Sequence, residues 1–138
     1  MPRKGQRKKK SPLGNPHDPQ GFARTAEAFF TWMRVKNYSE ATIKNRETYL
    51  RSFVAWCDER GLTRPSEITR AILERYQRYL YYYRKKDGHP LSFRSQHTRL
   101  TSVRSFFSWL AKHHHILYNP ASELDLPKLE KRLPKHVL

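Results

Sequence analysis

Two short stretches of this 138-residue sequence gather side chains suited to gripping a polyanion. The first holds Thr42, Lys44, Asn45, Thr48 and Arg51. The second holds Arg94, Ser95, His97, Thr98, Arg99, Thr101 and Arg104. Lysine and arginine neutralise phosphate charge, while serine, threonine and asparagine donate hydrogen bonds to phosphate oxygens or reach the edges of bases. Neither stretch is decisive alone, because the solvent face of an ordinary helix has a similar composition. The whole-chain charge separates the two cases. With 28 Lys and Arg against 12 Asp and Glu, the formal net charge is +16. Solubility needs a magnitude of only about 2 to 8 in a small domain. The surplus points to DNA, RNA or an acidic membrane surface as partner.

Other chemistries find little support. There is no glycine-rich phosphate loop and no cysteine pair for zinc. His113, His114 and His115 are consecutive, so helical geometry turns them about 100° apart and they cannot converge on one metal. They suit a cationic helix end facing the macrodipole. No carboxylate pair stands out among the scattered acids. No catalytic residue, metal or cofactor is expected in this chain. The single cysteine, Cys57, rules out an intrachain disulfide, which fits a reducing cytosol, and it falls in an apolar stripe as a small core residue. The tyrosines at 76, 79 and 81–83 could stack on exposed bases, but on a bundle helix they more often form core and half-buried rim. No apolar run approaches the roughly 20 residues that span a bilayer. A cytoplasmic or nucleoid-associated location is expected.

The elements that must carry the two stretches are helices. Phe22, Ala26, Phe29, Phe30 and Met33 recur at three- and four-residue steps. Asn37 follows, where a left-handed residue is tolerated. Ser39 is a good N-cap for a second helix with the stripe Ile43, Leu50, Phe53, Val54 and Cys57, stopped by Gly61. Thr69 caps a third, with Ile72, Leu73, Tyr76, Leu80 and Tyr83 inward. Ser92 caps a fourth running to about His113, with Leu100, Val103, Phe106, Phe107 and Leu110 inward. Alternating apolar and polar residues are scarce, so an all-α fold is predicted, a compact bundle of four main helices. Residues 1–20, rich in Lys, Arg and Pro, read as a disordered basic arm that lies along phosphates or is a solvated tail. Residues 21–125 form the helical domain, and residues 126–138 an extended basic linker.

The motif order is more specific than any single feature. YSEATIKNRETYLRSFVAWCDERG (Tyr38 to Gly61), SEITRAILERYQRYL (Ser66 to Leu80), RLTSVRSFFSWLAKHHHILYNPA (Arg99 to Ala121) and LPKLEKRLPKHVL (Leu126 to Leu138) occur in sequence. In that order they resemble the N-terminal core-binding, SAM-like domain of tyrosine recombinases, the phage-integrase family, with Xer-type and transposon or integron integrases most similar. One position departs: family members often carry Tyr four residues after the helix-two threonine, where this chain has Arg46.

The resemblance implies a domain that covers one face of double-stranded DNA at a recombination site, its second and fourth helices at the major groove. It points to Thr42, Lys44 and Asn45, to Arg94, Ser95, Thr98 and Arg99, and along the linker to Lys128, Lys131 and Arg132; the residue pattern adds Thr48, His97 and Thr101 as expected contacts. It also implies self-association in a tetrameric synapse, monomeric behaviour of the isolated fragment, and a catalytic domain beyond this sequence. The expected geometry is that the starts of helices two and four lie side by side. Two rival readings are a stand-alone nucleic-acid-binding regulator and a helical protein-interaction module.

Overall fold

The computed structural model describes residues 11–129. Four helices make up the fold: α1 (Phe22–Val35), α2 (Glu40–Asp58), α3 (Arg70–Tyr82) and α4 (Phe93–Lys112). A short 3-10 turn, Pro65–Glu67, precedes α3. Among the described residues there is no strand, only an isolated bridge between Arg84 and Pro90. None of these helices is long and apolar enough to cross a membrane.

Local sequence sets the helix boundaries. The side chains of Ser39, Thr69 and Ser92 accept from the backbone N–H groups of Thr42, Ile72 and Ser95, capping α2, α3 and α4. Asn37 (φ 66°) turns the chain between α1 and α2, and Gly61 (φ 73°) does so after α2. Both sit in the left-handed region that asparagine and glycine tolerate.

Aromatic contacts give each helix its direction. Phe22 near the start of α1 meets Phe53 late in α2, centroids 6.1 Å apart, so α1 and α2 run antiparallel. Phe29 meets Phe106 at 5.5 Å and Trp109 at 5.4 Å, and Trp32 reaches His113 at 5.9 Å, so α1 and α4 run parallel. Tyr76 of α3 stands 4.9 Å from Phe53 and 5.2 Å from Trp56. Phe53, fully buried, thus touches Phe22, Trp56, Tyr76 and Phe107 and joins all four helices. Cys57 is also fully buried, and desolvation pushes its thiol up to about 12, which leaves it protonated and inert. The expected inner stripes are buried except at α3, where Ile72 is half-buried and Tyr83 lies exposed just past the helix end.

The expectation of a disordered arm through Gln20 fails for residues 11–20. Leu13 is a buried member of the core. Arg51 Nη1 donates to the Ser11 carbonyl at 2.7 Å, Arg24 Nε to the Pro16 carbonyl at 2.8 Å, and Arg64 Nε pairs with Asp18 at 2.9 Å. The hydrogen bond from Arg64 holds the Asp18 carboxyl below its ordinary range. One leucine and one aspartate among prolines are enough to tie this segment down. Residues 1–10 of that expected arm lie outside the described residues.

Candidate nucleic-acid interface

Helix α4 carries Arg94, Arg99, Arg104 and Lys112 and no acidic residue along its whole length. Its outward positions Arg94, Thr98, Thr101, Ser105, Ser108 and Lys112 follow one another at steps of three or four, a hydroxyl-bearing stripe with a cation at each end. Among the described residues none of the four cations has a carboxylate partner. Helix α2 is more mixed, with Lys44, Arg46 and Arg51 beside Glu40, Glu47 and Asp58.

The starts of α2 and α4 do not lie side by side, contrary to expectation. Because α1 is antiparallel to α2 and parallel to α4, the start of α2 falls beside the end of α4. Tyr38, just before α2, and His113, just after α4, both contact Trp32. The two starts are therefore separated by nearly the length of α4, about 30 Å for its 20 residues. What the bundle does place side by side is the first half of α2 and the middle of α4. Arg46 Nη1 donates to Ser102 Oγ at 3.3 Å, and the Arg99 guanidinium lies 5.2 Å from the Tyr49 ring centroid.

This register sorts the expected contact residues. Thr42 and Asn45 flank Arg46 on the α4 side of α2, opposite Thr98, Arg99 and Thr101. Lys44 and Thr48 are two residues from Arg46, about 200° around the helix, and face away from the seam. Arg94, Ser95 and His97 occupy the opposite end of α4 from Tyr38. Lys128 is exposed and follows Pro127, which shares a groove with Phe93 and Gln96 at the start of α4. Lys131 and Arg132 lie outside the described residues.

Several hydroxyls are already engaged. Thr98 Oγ1 donates to the Arg94 carbonyl and Thr48 Oγ1 to the Lys44 carbonyl, each at 2.9 Å, and Thr42 shares a 2.8 Å bond with Ser39. They would have to rotate to donate to a ligand, so the guanidinium and ammonium groups are the immediate donors.

Sequence reasoning left Arg46 out of the contact set. Its signal was present: Arg46 stands three residues after Ile43 and four before Leu50, inside an apolar stripe where a charge needs a reason.

Comparison with known proteins accounts for this architecture. Residues 26–116 match the family model described as phage integrase, N-terminal SAM-like domain. The chain belongs to that family. It is 53% identical over 117 residues to a protein of Ralstonia nicotianae named Tyrosine recombinase XerC 2, a match covering 85% of this chain and 34% of that protein. It is 32% identical over 113 residues to Tyrosine recombinase XerC of Leptospira interrogans, covering 81% of this chain and 34% of that one. The chain therefore spans about a third of the length of these relatives. In fold it is similar to the N-terminal domain of a phage integrase/site-specific recombinase from Haloarcula marismortui, with TM-score 0.63 and 18% identity over 75% of this chain and 93% of that one. The integrase of mycobacterium phage Brujita gives TM-score 0.61 and 24% identity over 80% of this chain and 34% of that one.

Proposed function

We propose that this domain grips duplex DNA at the recombination site of a site-specific tyrosine recombinase. The observation that carries this is the acid-free length of α4, whose cations have no carboxylate partner among the described residues, set alongside α2 in a domain of the integrase family. Phosphate contacts from Arg94, Arg99, Arg104 and Lys112 would fix the domain's position, and Asn45, with Thr98 and Thr101 once their hydroxyls rotate, would meet base edges. Lys44, Thr48, Ser95, His97 and Lys128 would reach flanking phosphates, with Thr42 at the α2 edge; Lys131 and Arg132 would extend this path along the linker. In this reading, strand cutting and rejoining through a covalent phosphotyrosine belongs to residues outside this chain. It calls for no metal or high-energy cofactor. The full-length protein would assemble as a tetramer on DNA in the cytoplasm.

Fluorescence anisotropy with a labelled DNA duplex tests this. Six to ten phosphate contacts would reduce affinity by about 10³ to 10⁵ between 50 and 200 mM salt. Binding that ignores salt, or a preference for a protein partner that survives high salt, would replace this reading with the interaction module. Preference for RNA over duplex DNA would favour a separate nucleic-acid-binding regulator.

A further inference from the structure

Arg46 and Arg99 cross the α2–α4 seam in opposite directions. Arg46 leaves α2 and donates through Nη1 to Ser102 Oγ of α4 at 3.3 Å. Arg99 leaves α4 and lies over the Tyr49 ring of α2, with Nε 3.5 Å from Ser95 Oγ. Positions 46 and 49 are about one turn apart on α2, and positions 99 and 102 about one turn apart on α4, so the two guanidinium groups occupy adjacent levels of the same seam. Both side chains are half-buried. Each guanidinium has five N–H donors, and among the described residues one is engaged in each, by a long bond. Among the described residues neither has a carboxylate partner.

Like charges are partly withdrawn from water, where an unpaired cation loses hydration without gaining a counter-ion. Elsewhere in this molecule several arginines are paired with carboxylates: Arg51 with Glu47, Arg64 with Asp18, Arg70 with Glu74 and Glu123. An anion set over the seam would satisfy both. The planar fork of guanidinium matches phosphate oxygens in pairs. The exposed neighbours Asn45 and Thr98 leave the outer side of the seam open.

We propose that Arg46 and Arg99 together form a clamp for one backbone phosphodiester of DNA. This rests on the DNA-binding reading above and adds to it a defined subsite with a residue, Arg46, outside the expected contact set. Its signature is a division between stability and binding. Removing either charge relieves the unliganded seam while weakening the complex.

The test measures R46Q, R99Q, the R46Q/R99Q double variant and R46K in duplex titrations across salt, and in thermal melts in phosphate-free buffer with and without added inorganic phosphate. For R46Q and R99Q, affinity should fall roughly tenfold or more. Because both charges meet one phosphate, the slope of log K against log salt should become shallower by about 0.9 in the R46Q/R99Q double variant, with each single variant between it and wild type. Their melting temperatures without DNA should match or exceed wild type. R46K should keep the wild-type slope with reduced affinity, because it retains charge and loses the fork. If wild type binds duplex and the R46Q/R99Q double variant keeps its affinity and slope, the clamp is overturned and the DNA reading stands. If inorganic phosphate raises the melting temperature of wild type but not of R46Q, while the DNA slope is unaffected, the seam is a site for free anion and the phosphodiester assignment is overturned. If wild type binds no duplex, the DNA reading fails and takes the clamp with it. Should R46Q fail to fold, the affinities of R46K and R99Q decide.

Discussion

The cations on the two sides of this bundle are treated differently. Around residues 11–20 and the starts of α1 and α3, arginines are used internally. Arg24 and Arg51 hold backbone carbonyls of residues 11–16, Arg64 holds Asp18, and Arg70 bridges Glu74 and Glu123. Along α4 the cations have no acidic neighbour on their own helix and no carboxylate partner among the described residues. A net charge of +16 says that a polyanion is welcome, but not where. The partners of each cation say where. A charge committed to a carboxylate or a carbonyl is holding the fold, and a charge left without one is available for the proposed DNA contact.

The largest effect should come from the interior that keeps the two sides apart. Phe53→Ala removes a fully buried ring in contact with all four helices and should cost about 3–5 kcal/mol, read by chemical denaturation. Both faces would be lost together, and stability unchanged in that variant would mean the aromatic hub is not the common support. Next comes the direct contrast between the sides. Arg94→Ala and Arg104→Ala should each weaken duplex binding and reduce the salt slope by about one, with the circular dichroism spectrum unchanged. Arg70→Ala should do the reverse, leaving DNA affinity near wild type and lowering stability by about 0.2–1 kcal/mol, as for an exposed ion pair. Equal losses of DNA affinity in Arg70→Ala and Arg94→Ala would erase the distinction.

The smallest effect is in acid. Because the folded Asp18 carboxyl titrates below its ordinary value of 3.8, its pairing with Arg64 adds stability above that pH, lost as pH falls through the depressed value. The stability difference between wild type and Arg64→Ala should therefore be present at neutral pH and close in strong acid. A difference that stays constant from neutral pH into strong acid would mean Arg64 acts through something other than this ion pair.

The helices themselves were legible in the residues. Ser39, Thr69 and Ser92 carry capping chemistry, and the apolar stripes of α1, α2 and α4 repeat at helical spacing because burial demands it. Helix adjacency was not legible, since periodicity shows which face turns inward and says nothing of which end of a neighbour it meets. The two helix starts were expected together for that reason, and the bundle separates them. Trp56 and Trp109, both buried, sit at the margins of their stripes, where spacing alone does not place them inside. Gln96 and Ser102 are buried polar residues whose partners, the Leu91 carbonyl for one and the Thr98 carbonyl and Arg46 for the other, become visible only in three dimensions. Arg46 was legible as a charge inside an apolar stripe, but its partner across the seam, Ser102, was not.

Leu13 has a practical consequence for anyone trimming this domain. Shortening the chain to begin at Gly21, where the helical pattern starts, would remove a leucine seated against the first two helices and strip the cover from nearby Phe30 and Val54. The newly bared hydrocarbon would make such a fragment sticky and prone to self-association, so a well-behaved version should keep everything from Ser11 onward.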